Sequence, residues 1–170
     1  MTMGKVNTRR LPHARDLRPV CYPRAVGAEE RASLRRRAEA LLVAETGASR
    51  VVRVCPWCGS DRHGRPTAVG SGAAVSIAYA EGLVVVAWSW RGPVGIDVAV
   101  EGPPVGDFGD RQAWTRIEAL LKATGEGLRR DPSDLPDLAT AELDLPLGYV
   151  GTVAGKGVSW RLAGPAAPPH

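Results

Sequence analysis

Residues 73–100 read AAVSIAYAEGLVVVAWSWRGPVGIDVAV. Ala73–Ala80 and Leu83–Trp90 have the length and β-branched content of strands, and Glu81-Gly82 between them is a hairpin turn. The second strand is apolar almost throughout, as expected where both faces are buried. Val94–Val100 is a third apolar segment, and it carries Asp97. A carboxylate there is costly to bury unless a cation or a hydrogen-bond donor meets it. The plainer alternative is a strand-end aspartate facing solvent.

Downstream, Trp114, Ile117, Leu120, Leu121 and Thr124 recur at helical spacing, which predicts a helix over Asp110–Thr124 closed by Gly125. Upstream, Leu34, Ala38, Leu41, Leu42 and Ala44 predict an amphipathic helix over Glu29–Thr46, ended at Gly47. Its polar face carries Arg31, Arg35, Arg36 and Arg37. Ser49–Val54 alternates like a short strand, residues 55–72 and 101–109 read as loops, and 131–146 holds short strand-like pieces at most. Tyr149–Ala154 and Gly157–Leu162 read as a final hairpin around Gly155-Lys156. The expected organisation is one domain over 1–170. It comprises an irregular arm (1–28), two helix-and-strand halves (about 29–92 and 93–162) and a flexible tail (163–170).

Composition narrows the class. With 170 residues, 44% hydrophobic and 24% charged, the chain matches a soluble globular protein. Its longest apolar run, Leu83–Trp88, is too short to span a bilayer, and the N-terminal stretch has no apolar core of a secretory signal. Those features, with an odd total of three cysteines, predict a cytoplasmic protein with no membrane partner. Residues 1–65 carry 14 Lys+Arg against 6 Asp+Glu, whereas 66–170 carry 8 against 12. A basic half fits an anionic partner, whether nucleic acid, an acidic protein or a phosphorylated small molecule; it also fits a solvated arginine-rich surface. Only three of the 22 basic residues are lysines, Lys122 among them.

Three groups of residues have chemistry-bearing spacing. Cys55-Pro-Trp-Cys58-Gly followed by His63 has the spacing of a zinc knuckle, with Cys21 the available fourth donor. A tight turn with reduced cysteines is the alternative. Together with the arginine-rich helix, this group also allows a zinc-knuckle nucleic-acid module. Gly95-Ile96-Asp97 sets a carboxylate on a strand. Glu118 and Lys122 lie one helical turn apart, the geometry of an ordinary helical ion pair.

Taken in order, His63-Gly-Arg65-Pro66, VSIAYAEGLVVVA, Gly95-Ile96-Asp97 and WTRIEALLKATGEGL resemble the 4′-phosphopantetheinyl transferases, most nearly the surfactin-type branch. The C-terminal GYVGTVAG is similar to that family's last core strand, and the likeness covers roughly residues 29–162. The resemblance implies an α+β fold of two similar halves, a pseudo-dimer within one chain. It implies Mg2+-dependent transfer of the 4′-phosphopantetheine arm of coenzyme A to a serine of an acyl or peptidyl carrier protein. By the same resemblance, Asp97 and Glu118 would hold magnesium, Glu118 would help deprotonate the serine, and Lys122 would offset phosphate charge. Arg65 would lie near the adenine or 3′-phosphate, and one or more of Arg31, Arg35 and Arg36 would complete the phosphate clamp.

The chain also departs from the family pattern. Ala99 stands where a second carboxylate is usual, and Ile117 where a lysine precedes the glutamate. Ala78-Tyr79 replaces a Ser-His pair, leaving a neutral tyrosine hydroxyl for the phosphate. The 21 positions from Asp97 to Glu118 fall well short of the spacing in surfactin-type relatives, which removes part of the carrier-docking region. A divergent relative that binds coenzyme A or a carrier protein without transfer is therefore the alternative expectation. Nucleic acid is not an expected partner.

Overall fold

A hairpin between Ala80 and Leu83 organises the chain, because Gly82 adopts a positive φ of 68° that closes the two-residue turn. The computed structural model describes residues 27–55, 58–61, 63–126, 131 and 134–163. Most of the expected arm, nearly all of the tail, and Cys21 lie outside the described residues. Among the described residues, two long helices, α1 (Ala28–Thr46) and α2 (Arg111–Thr124), accompany eight strands. The strands are β1 (Arg50–Arg53), β2 (Pro66–Val69), β3 (Ala74–Ala80), β4 (Leu83–Ser89), β5 (Val94–Val100), β6 (Thr140–Glu142), β7 (Tyr149–Gly155) and β8 (Ser159–Leu162). They pair antiparallel as β1-β2, β3-β4-β8 and β5-β7-β6. The expected α+β class stands.

Every residue of β4 is buried, because the strand is the wall between two cores. Val84, Val86 and Trp88 face α1, where they meet Leu34, Ala38 and Leu42 together with Val75 and Ile77 of β3. Leu83, Val85 and Ala87 point the other way, into Val94, Ile96 and Val98 of β5, with Leu143 and Val153 beyond. The period-2 alternation of a strand thus serves two apolar layers at once, which explains the unbroken apolar run. On the outer side of the second sheet, Ala119 and Leu120 of α2 close on Ala154, with Leu135 and Leu138 packed at the margin. The order of layers is helix, sheet, sheet, helix.

Both helices end as expected, at Gly47 and Gly125, which take left-handed φ values of 70° and 80°. At its start, α2 is capped by Asp110, whose side chain accepts a 2.7 Å hydrogen bond from the Ala113 amide.

Three local expectations change. Residues 55–72 are not wholly loop: Pro66–Val69 forms β2 against β1, with Pro66 opposite Arg53 at the end of the ladder. Four residues, PTAV, carry too little alternation to read as a strand without their partner. The 101–109 loop contains one 3₁₀ turn, Gly106–Phe108. The final hairpin does not form. Both edges of β7 are taken, by β5 and β6, while β4 has an edge left for β8. The chain crosses between sheets at Gly155 and Gly157, with φ of 139° and 58°, and Ser89 Oγ donates to the Lys156 carbonyl at 2.7 Å to pin the crossing. Among the described residues, no helix is long and apolar enough to cross a membrane.

Candidate functional site

The site begins with a missing side chain. A Cβ on Gly95 would fall on the Ala119 carbonyl oxygen and lie 2.7 Å from the Ala123 amide nitrogen. Glycine therefore lets the α2 backbone rest directly on β5. Asp97, two residues further along the same face of the strand, is carried under the helix and is only 5% exposed. Glu118 and Lys122 are one turn apart on that helix and meet it there.

Besides acting on Glu118 one turn away, Lys122 reaches across to the strand. Its Nζ sits 2.5 Å from Asp97 Oδ1 and donates to the Ile96 carbonyl at 3.2 Å. The Ile96 amide in turn donates to Ser76 Oγ of β3 at 3.2 Å. The Ile96 amide and carbonyl are thus satisfied by two side chains, Ser76 and Lys122, in place of a neighbouring strand.

Glu118 is the perturbed group. Burial raises its pKa from 4.5 to about 8, the nearby Asp97 charge and an Asp97 hydrogen bond add to the rise, and Lys122 opposes it. At neutral pH Glu118 therefore keeps its proton in most molecules. Asp97 and Glu118 are oxygen donors of the type a hard divalent cation takes, and Lys122 already occupies Asp97 Oδ1.

A polar lattice flanks this trio. Thr152 of β7 lies opposite Asp97 in the ladder. Its Oγ1 receives the Gln112 side-chain amide at 2.8 Å and lies 3.1 Å from Thr115 Oγ1, and both threonines are buried. Sequence reasoning passed over Gln112, Thr115 and Thr152. The only signal was a threonine inside each of two otherwise well-packed elements.

Arg65 reaches the C-terminal end of the same helix, where its Nη1 lies 2.7 Å from where a Gly125 Cβ would stand. A helix C-terminus carries partial negative charge and favours a cation there. Arg65 of the HGRP segment is thus brought to the C-terminal end of the helix that carries Glu118 and Lys122.

The other arginines singled out in the sequence lie on α1, facing Tyr79 of β3 and the loop after β1. The Arg31 guanidinium lies 5.7 Å from the centroid of the Tyr79 ring. Arg35 bonds Glu39 at 2.8 Å and the Asp61 carbonyl at 3.1 Å, so it braces the loop after β1. Arg36 is exposed. Arg53, which the sequence did not single out, donates from Nη2 to Tyr79 Oη at 3.1 Å and places Nε 3.7 Å from Glu39 Oε1. Burial pushes the Tyr79 hydroxyl up against the pull of Arg53, so it keeps its proton and remains a neutral donor.

A separate group lies in the loop between β1 and β2. One donor atom from each of Cys55, Cys58 and His63 lies within 4.8 Å of the others, and the three could hold a metal ion. The fourth donor expected from sequence, Cys21, is outside the described residues. No protein-family model matches the chain, and no curated protein matches its sequence.

Proposed function

We propose that the chain is a cytoplasmic transferase of the 4′-phosphopantetheinyl type, moving the phosphopantetheine arm of coenzyme A to a serine of an acyl or peptidyl carrier protein. The observation that carries this reading is the buried Asp97–Glu118–Lys122 trio, with the pKa of Glu118 raised to about 8. A carboxyl group poised near neutral pH can take a proton from a hydroxyl and later release it. In this reading the ionised form of Glu118, a minority near neutral pH, accepts the serine Oγ–H proton, directly or through water. The Oγ forms a bond to the β-phosphorus of coenzyme A, and the pyrophosphate bond breaks to release 3′,5′-adenosine diphosphate. Lys122, at the mouth of the trio, balances charge on the departing phosphate. Asp97 and Glu118 would hold Mg2+, which supplies charge neutralisation on the pyrophosphate when bound. Arg65, with Arg31 as the more open arginine of the basic cluster, would receive the nucleotide phosphates. The two helix-covered sheets would correspond to the halves of that fold.

The direct experiment is incubation of the full chain with coenzyme A, Mg2+ and a panel of apo carrier proteins, read by intact mass. A phosphopantetheine mass on at least one carrier, lost with Glu118→Gln, is the expected result. No mass gain on any carrier removes the transferase reading.

One observation favours a second reading, a divergent binder without transfer. Asp97 is already engaged by Lys122 at 2.5 Å, and Ala99 provides no further carboxylate. Calorimetric binding of coenzyme A with no transfer to any carrier would establish it.

A further inference from the structure

The loop between β1 and β2 is organised around Cys55, Cys58 and His63, and nothing in the proposed transfer chemistry uses them. Among its described residues from Val54 to Arg65, only Cys55 is buried, so those residues supply no apolar core. Yet its backbone is tightly folded. The Gly59 amide donates to the Cys55 carbonyl at 2.9 Å, and the Cys55 amide donates to the Ser60 carbonyl at 2.9 Å. Gly59 takes a φ of 68°, which lets the chain reverse directly after Cys58. Gly64 takes a φ of 112°, and a Cβ there would lie 2.9 Å from the Val54 carbonyl and the Cys55 amide nitrogen. Only glycine permits that approach, and it returns His63 to the cysteines.

The result places Cys58 Sγ 3.3 Å from His63 Nε2, with all three donors inside a 4.8 Å span. A tetrahedral zinc ion with ordinary bond lengths separates two sulfurs by about 3.8 Å, and a sulfur from an imidazole nitrogen by about 3.6 Å. Two thiolates and an imidazole are soft-to-borderline donors that suit zinc and poorly suit magnesium or calcium.

We propose that Cys55, Cys58 and His63 bind zinc, and that this centre holds the β1–β2 loop in the shape that delivers Arg65 to the end of α2. Binding replaces the two thiol protons, which are released to solvent, and uses the neutral imidazole. A water would complete the fourth vertex. Arg35 supports the same loop from α1 through the Asp61 carbonyl at 3.1 Å. The metal would tie together described loop residues of which only Cys55 is buried.

The test is elemental analysis of the purified full chain, followed by chelation and titration with Co2+. The expected result is about one zinc per chain, and a thiolate-to-cobalt charge-transfer band on adding Co2+. Cys58→Ser and His63→Gln, both at exposed positions, should each lose most of the zinc while keeping the far-ultraviolet dichroism of the parent. Chelation should raise amide hydrogen exchange in residues 54–65 and leave α2 protected. A zinc-free wild-type chain giving no charge-transfer band with Co2+ overturns the proposal. Full zinc retention in both variants overturns it as well. If a variant fails to fold, the wild-type cobalt spectrum and chelation exchange still decide. No step uses coenzyme A or a carrier protein, so this test fails or succeeds independently of the transferase reading.

Discussion

Glu118 and Lys122 share one aspartate but respond to it in opposite ways. Because the pKa of Glu118 rises from 4.5 to about 8 on folding, the folded state keeps a proton that the unfolded state releases within that window. Stability must therefore fall as pH rises from 4.5 towards 8. Glu118→Gln cannot ionise, so its urea midpoint should lose that downward slope and exceed the wild-type value at the upper end of the window. The same variant should lower transfer by about 100-fold or more, because general-base help is gone. The opposite stability result is expected at Lys122. Lys122→Met leaves Asp97 buried without its cation and the Ile96 carbonyl without its donor. Breaking a fully buried pair costs about 3–5 kcal/mol. Since the Lys122 side chain is 35% exposed, about 2 kcal/mol is expected here, read as a lower urea midpoint. Asp97, Glu118 and Lys122 were legible in sequence because each stands out against its element: a charge in an apolar strand, and a helical i,i+4 pair. Arg53 and Glu39 were not. An arginine in a short alternating strand and a glutamate in a charged helix look like surface residues until tertiary packing buries them, Arg53 to 11% side-chain exposure.

At the scale of elements, the contact between α2 and β5 sets the geometry of the trio, and it depends on Gly95. Gly95→Ala puts a methyl group against the helix backbone, where no flexible side chain can yield. Overpacking of this kind costs about 1–3 kcal/mol or more. The expected outcome is a lower thermal midpoint together with loss of transfer, since α2 carries both Glu118 and Lys122 away from Asp97. An alanine at Gly102, where a Cβ would come no closer than 3.7 Å to an Arg111 side-chain atom, is the matching control and should leave both nearly unchanged. The helices themselves were readable from periodicity and their glycine stops. The short β2 was not, since a four-residue edge strand is defined by the strand it pairs with.

For the whole molecule, β8 decides how the two layers are tied. It lies late in the chain yet completes the sheet of β3 and β4, pairing Val85–Trp88 with Ser159–Leu162. A chain ending at Val158 would expose the edge of a fully buried apolar strand, a ready template for edge-to-edge association. Sedimentation should show it as oligomers or precipitate, with the wild-type chain as reference. By itself the sequence determined the helices, the central hairpin and the third apolar strand, because periodicity, turn residues and caps act between near neighbours in the chain. Tertiary structure alone decided that β7 and β8 part company and that Lys122 serves Asp97 and a strand edge. Those outcomes depend on which edges and buried charges remain unsatisfied once the layers have packed, a condition no local stretch of sequence contains.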